Sequence, residues 1–345
     1  MYSFKNDYSE GAHSRIMEAL VKSNLEQCDG YGEDYYCKNA EEIIKKQIGS
    51  EDVFVHFISG GTQANLIAIS SFLRPHHAVV GANTCHVAVH ETGAIEATGH
   101  KVLTIDVNDG KIGPDHVKAV LEAHPDEHMV KPRLVYISDS TEVGTIYNKK
   151  ELEALSSFCK KNNLLLYMDG ARLGSALSCA ENDLTLKDIS RLTDAFYIGG
   201  TKNGALLGEA MVICNKALEE DFRYLMKQRG ALLAKGKIMG IQFQELFRDN
   251  LYFELAAHAN AMADILRNGI KEMGFKFVTD SPTNQIFPIF PIEVIKELEK
   301  DYSFSTWCRV TEAETAIRLV TSWATDEEAV RQFVVRLKEI ASRIK

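Results

Sequence analysis

The chain has no apolar run approaching the roughly 20 residues that a membrane-spanning helix requires, so a helical membrane protein is not expected. Nor does it have a lysine and arginine run able to neutralise a phosphate backbone. Its 39 basic and 48 acidic residues leave a formal charge of -9, and a nucleic-acid partner is therefore not expected. Cysteine occurs seven times (Cys28, Cys37, Cys85, Cys159, Cys179, Cys214 and Cys308) without a CxxC pair or regular spacing. An odd, scattered set of this kind fits reduced thiols in a cytoplasmic protein better than a disulfide framework. Residues Met1 to Tyr8 contain no apolar stretch resembling a secretory signal. Internal repeats, low-complexity segments, a GxGxxG dinucleotide fingerprint, a P-loop and an HExxH metal motif are also missing. No metal site is expected.

What is present fits a globular enzyme. The 345 residues are 45% apolar and 25% charged, which is ordinary composition, and the length calls for two domains or one large domain with an appendage. Between about residues 50 and 215, short β-branched or aromatic runs alternate with helical stretches. The runs begin at Val53, Ala78, Val102, Arg133, Leu164, Ala195 and Ala210. Continuous apolar strands without alternation are strands buried on both faces. Strands alternating with helices predict an α/β fold with a mostly parallel, doubly wound sheet. Beyond about residue 245 helices dominate. Residues 242–271 read as one long helix, 292–300 as a second and 326–344 as a terminal amphipathic helix, with one strand at 316–320. The expected organisation is an N-terminal arm over 1–45, a large domain over 46–244 and a smaller C-terminal α/β domain over 245–345.

Three segments carry chemistry. In Ser59-Gly60-Gly61-Thr62-Gln63-Ala64-Asn65 an apolar strand meets two glycines and a threonine, and a helix follows. Such a junction directs free N–H groups and the positive end of a helix at an anion, although it also describes a plain strand–helix turn. In Tyr167-Met168-Asp169-Gly170-Ala171-Arg172, a carboxylate closes a strand where doubly wound sheets place their ligands. It can hold a protonated pyridine nitrogen, and Arg172 has the fork that grips a carboxylate. In Gly199-Gly200-Thr201-Lys202-Asn203-Gly204, a lysine sits among glycines, where enclosure lowers its pKa toward nucleophilic competence. Each segment alone has an ordinary structural reading. In this order they supply a phosphate cradle, a ring-nitrogen partner and a reactive amine, which are the parts of a pyridoxal-phosphate site. His86 adds an imidazole able to stack on a pyridine ring and to move protons.

These residues closely resemble those of the threonine aldolase branch of fold-type I pyridoxal-phosphate enzymes. The likeness runs from Tyr31-Gly32-Glu33-Asp34 through the segments above to Ile317-Arg318-Leu319-Val320-Thr321. It implies a fold-type I architecture and Lys202 as the covalent attachment point of pyridoxal 5'-phosphate. Asp169 would meet the ring nitrogen, while Gly60, Gly61 and Thr62 would hold the phosphate, beside Thr201. His86 would lie against the ring, and Arg172 and Arg318 would bind the substrate carboxylate. A homodimer or homotetramer is implied, with Tyr31 and one of Lys227, Arg229 and Lys235 reaching a neighbouring site. The implied reaction cleaves L-threonine or L-allo-threonine to glycine and acetaldehyde.

Two positions depart from the family pattern. Asn6 stands before Asp7 where a serine is usual, and an asparagine can still donate to a substrate carboxylate. Thr141 is the nearest match to a histidine that aldolases place by the substrate hydroxyl, and a threonine is no base near neutral pH. That loss keeps a β-eliminating lyase as the alternative. A non-catalytic binding relative is disfavoured by the presence of Lys202, Asp169, Arg172 and Arg318 together.

Overall fold

The computed structural model describes residues 1–344. Seven strands form the central sheet: β1 (Phe54–Ile58), β2 (His77–Ala82), β3 (Lys101–Ile105), β4 (Lys131–Ser138), β5 (Leu165–Asp169), β6 (Ala195–Gly199) and β7 (Glu209–Ile213). Their spatial order is β1-β7-β6-β5-β4-β2-β3. β7 runs antiparallel to both neighbours and the other pairings are parallel. The fold is α/β with a mostly parallel sheet, as the strand pattern predicts. Strands β5, β6 and β7 are buried at every position, as their unbroken apolar runs predict. Each parallel strand ends on the same side of the sheet, and β7 starts there, so Gly60, His86, Ser138, Asp169, Lys202 and Glu209 emerge near one edge.

Register decides which side chains meet at that edge. Tyr136 lies opposite Tyr167 and Ser138 opposite Asp169. Because side chains alternate faces, Tyr136 and Asp169 project from the same face of adjacent strands. Gly170 then lets the β5 exit pass directly beneath β6: a Cβ there would lie 1.9 Å from the Tyr197 carbonyl oxygen. No side chain fits without moving the backbone.

A second apolar core contains Met262, Leu266, Ile286, Phe290, Ile317, Leu319, Phe333 and Leu337. It is built on a small sheet, in which Glu314–Val320 pairs with Ile289–Pro291, Ser305–Arg309 and Gln285–Ile286. Only the first of these strands shows in the sequence pattern; the others are too short or too exposed for a periodic signal. The predicted helix over 242–271 is two helices, Lys237–Phe247 and Leu251–Glu272. Asp249 and Asn250 break it by adopting left-handed backbone (φ 54° and 61°), which short polar residues tolerate.

The first residues belong to this second core rather than lying free. Tyr2–Ser3 pairs with Tyr302–Ser303, and Phe4 is fully buried among its residues. The chain then crosses to the main sheet, where the buried Asp7 meets Arg172. Arg172 Nε donates to Asp7 Oδ2 at 2.7 Å, Nη2 donates to Oδ1 at 3.0 Å, and Asn284 Nδ2 also donates to Oδ2 at 3.0 Å. This clasp joins the N-terminal segment, the β5 exit and the second core through one carboxylate. Burial by itself drives the Asp7 carboxyl upward; Arg172, with Lys202 behind it, outweighs burial and holds it below 3.8.

Replacing Asp7 by Ala leaves the buried Arg172 guanidinium without its partner, so stability should fall by about 3–5 kcal/mol in urea unfolding. Since the folded pKa lies below the unfolded one, the wild-type contribution is complete above about pH 4 and is lost on acidification. The difference between wild type and Asp7→Ala should therefore narrow toward pH 3.

Candidate active site

The strand ends enclose a cavity of about 250 Å3. From β1 and its helix come Ser59, Gly60, Gly61 and Thr62, and from the β2 exit comes His86. Ser138, Ser140 and Glu142 follow β4, and Asp169, Ala171 and Arg172 follow β5. Tyr197, Thr201, Lys202 and Glu209 come from β6 and β7, with Tyr8 from the N-terminal segment. Eight of the eleven residues singled out from the sequence thus meet in one place: Lys202, His86, Asp169, Gly60, Gly61, Thr62, Arg172 and Thr201.

Asp169 is 4% exposed yet held as an anion. Burial pushes its carboxyl up, but His86, Tyr136, Tyr197 and Asn65 together outweigh that and bring it below the usual range. Tyr136 and Tyr197 hydroxyls donate to its two oxygens at 2.5 Å each, Asn65 Nδ2 at 3.0 Å and the Ala171 N–H at 3.0 Å. Behind it, Asn65 Nδ2 also donates to Glu91 Oε1 at 2.7 Å, and that oxygen lies 2.8 Å from His86 Nδ1. One chain of polar contacts therefore sets both the carboxylate and the imidazole.

Across the cavity, the helix Gly61–Phe72 starts without a side-chain cap. Its first N–H groups are left for another acceptor. A Cβ on Gly61 would sit 3.0 Å from the Tyr197 hydroxyl that serves Asp169, so glycine keeps that approach open. Lys202 is half-buried, and burial followed by the nearby Arg172 depresses its pKa. Its neighbour Glu209 is pushed up to about 8 by burial and accepts the Gly200 N–H at 3.0 Å. Thr201 accepts the Gly208 N–H at 2.9 Å, which fixes the lysine loop.

Three expected residues lie elsewhere. Asn6 Oδ1 accepts from the Tyr8 N–H and the Ser9 hydroxyl, closing a local turn, and it does not line the cavity; Asp7 and Tyr8 are the N-terminal residues that approach the site. Tyr31 is 44% exposed and borders a separate cleft, with Lys227 Nζ 4.3 Å from its ring centroid. Lys227, Arg229 and Lys235 are exposed and reach no part of this chain's own cavity. Arg318 stands behind the rim, its guanidinium 5.9 Å from the Trp307 ring centroid and its buried Nε without a partner among the described residues. Burial, then Arg172, lowers its pKa. Thr141 is fully buried, bonds Thr145 and faces away from the cavity; Glu142 is the ionisable side chain that this segment presents.

Sequence reasoning missed Tyr136, Tyr197, Glu142, Glu209 and the pairing of Asp7 with Arg172. The tyrosines lie inside apolar strands, where they read as core, and only the strand register shows that their hydroxyls converge. The residues present fit pyridoxal phosphate. An ionised buried carboxylate, an uncapped helix start and an amine of depressed pKa face one cavity. Lys202, Asp169 and the Gly60-Gly61-Thr62 turn would hold the group there.

Comparison with known proteins agrees. A family model described as beta-eliminating lyase matches residues 7–291. A low specificity L-threonine aldolase of Pseudomonas sp. (strain NCIMB 10558) is 33% identical over 98% of each chain. A Leishmania major threonine aldolase structure superposes with a TM-score of 0.98 at 50% identity, over 99% of this chain and 100% of that one. Thermus thermophilus aspartate aminotransferase shares the fold alone, with a TM-score of 0.74 at 15% identity over 99% and 91% of the two chains. No described helix is long and apolar enough to cross a membrane. The cavity, its lysine and these full-length likenesses lead to one assignment: the chain belongs to the beta-eliminating lyase family, as a pyridoxal-phosphate-dependent lyase of its threonine aldolase branch.

Proposed function

We infer that this enzyme cleaves β-hydroxy-α-amino acids of the threonine type between Cα and Cβ, releasing glycine and an aldehyde. The observation that carries the reading is the meeting of Lys202, Asp169 and the uncapped helix start in one cavity. It occurs in a chain whose full-length relatives are threonine aldolases. Pyridoxal phosphate, when bound, supplies an electron sink for the pair left on Cα.

The chain's residues divide the remaining work. The depressed pKa of Lys202 favours the unprotonated amine required for covalent attachment. Asp169 stays anionic and so would hold the proton of a ring nitrogen. Gly60, Gly61 and Thr62 would offer N–H groups and a hydroxyl to a phosphate, and His86, which lines the same cavity, would lie against the ring. Arg172 is ion-paired with the buried carboxylate of Asp7, whereas Arg318 has no ion-pair partner among the described residues. One positive charge is left over, and the α-carboxylate of an amino-acid substrate balances it. Exposure of Tyr31, Lys227, Arg229 and Lys235 away from their own cavity supports a homo-oligomer in which they complete a neighbour's site. The seven unpaired cysteines support a cytoplasmic location.

The purified protein should show a visible band abolished by borohydride, and L-threonine or L-allo-threonine should yield glycine and acetaldehyde in equal amounts. Ammonia with a keto acid in their place would overturn the aldolase reading. Lys202→Ala should lose the band and turnover together. Arg318→Ala should raise KM with a smaller change in kcat, corresponding to about 2–5 kcal/mol of lost binding; an unchanged KM would remove Arg318 from the substrate site.

A further inference from the structure

Cleavage of a β-hydroxy-amino acid needs a base at the β-hydroxyl, and the cavity holds few candidates. Asp169 is committed to four donors and has a depressed pKa, so it is a poor base. Glu209 is protonated for most of the neutral range by burial. His86 has Nδ1 held by Glu91, leaves Nε2 as the competing base, and is the imidazole expected to lie against the ring, while His90 does not line the cavity.

Glu142 differs from all of these. It lines the cavity from the loop after β4, and no cation pairs with it in a salt bridge among the described residues. Both of its hydrogen bonds to other residues fall on Oε1, from the Ser138 hydroxyl at 2.7 Å and the His86 N–H at 3.0 Å. Oε2 accepts from no other residue. The loop is fixed from the second core. Thr279 Oγ1 donates to the Val143 carbonyl at 2.7 Å, while Ser281 Oγ and Thr283 Oγ1 donate to that of Gly144 at 2.9 and 3.0 Å. A carboxylate on an anchored loop, with one free oxygen toward the substrate space, is built to exchange a proton.

We propose that Glu142 is the catalytic base that takes the proton from the substrate's β-hydroxyl. This rests on the aldolase reading above. The hydroxyl proton passes to Glu142, the O–H pair becomes the second bond of the aldehyde carbonyl, and the Cα–Cβ bond breaks with its pair going to Cα. Glu142 then releases its proton to solvent while Cα gains one by a route that does not use Glu142, so glycine and aldehyde leave with no net gain or loss. Burial raises the Glu142 pKa above 4.5, strengthening it as a base, while Ser138 counteracts part of that rise. The groups facing it are Asp169 and Arg172 from the β5 exit, His86 and Cys85 from the β2 exit, and Tyr136 on β4. A base must be ionised, so cleavage is lost as pH falls through that raised value.

The test compares wild-type and Glu142→Gln holoenzyme. Glutamine keeps an acceptor for Ser138 and the His86 N–H but is not basic. The variant should keep the visible band and exchange the α-proton of glycine at near the wild-type rate. Its kcat for threonine cleavage should fall by about 10²-fold or more. In the wild type, the acid limb of kcat/KM should appear for threonine cleavage and not for glycine exchange. Cleavage within about three-fold of wild type, or equal loss of exchange and cleavage, would overturn the proposal. If Glu142→Gln does not bind cofactor, the wild-type profiles decide: the same acid limb in both reactions overturns it. A wild type that releases no glycine from threonine would instead refute the reaction, whatever Glu142 does.

Discussion

The anionic state of Asp169 is the constraint on which the rest of the site depends. Removing a carboxylate from water costs several kcal/mol unless donors replace the lost solvation. Here the donors come from β4, β6, the helix Gly61–Phe72 and the β5 exit itself. The charge therefore exists only while those elements hold their register. A one-residue slip of β4 would turn Tyr136 to the opposite face of the sheet, leaving the carboxylate short of a donor. Its environment then favours protonation, and a neutral acid no longer holds a protonated ring nitrogen. The electronic requirement of the cofactor is thus written into strand pairing rather than into any single residue.

The same dependence extends outward through Arg172. Its guanidinium is tied to Asp7, which is tied to Asn284, so residues distant in sequence fix a cation that acts on Lys202. Because the N-terminal segment also pairs with Tyr302–Ser303, the second core and the cavity are not mechanically separate. The β4 exit loop, fastened by Thr279, Ser281 and Thr283, repeats this arrangement on the opposite wall.

The sequence made the sheet legible because its strands are continuous apolar runs. It made Lys202, Asp169 and Gly60-Gly61 legible because glycines flank them at strand ends. It concealed whatever depends on pairing between distant segments. Tyr136 and Tyr197 look like core residues, and Asp7 like a surface acid, until register and the N-terminal crossing bring them to their partners. Short strands such as Gln285–Ile286 carry no periodicity. The break at Asp249 and Asn250 interrupts an amphipathic pattern without changing its composition. Thr141 stood out because its neighbours matched a motif, whereas the cavity selects the next residue, Glu142. Local pattern locates a segment, but backbone direction decides which of its side chains faces the site.

Aspartate aminotransferase shares this scaffold at 15% identity, so the sheet does not by itself choose a reaction. All such enzymes can weaken the bonds to Cα. Which bond breaks depends on what stands beside the substituent that must leave. Breaking Cα–Cβ in a β-hydroxy-amino acid needs an acceptor for the hydroxyl proton, whereas expelling a β-substituent needs a donor to the leaving group. The walls of this cavity are unequal in that respect. Lys202 and the neutral Glu209 come from β6 and β7 and Arg172 from the β5 exit, while Glu142 follows β4 without a salt-bridge partner among the described residues. A substrate anchored by its carboxylate near Arg172 and by its amine near Lys202 would extend its side chain toward the remaining wall. The acceptor there favours carbon–carbon cleavage, and the choice of reaction follows from the loop after β4 more than from the cofactor-holding residues.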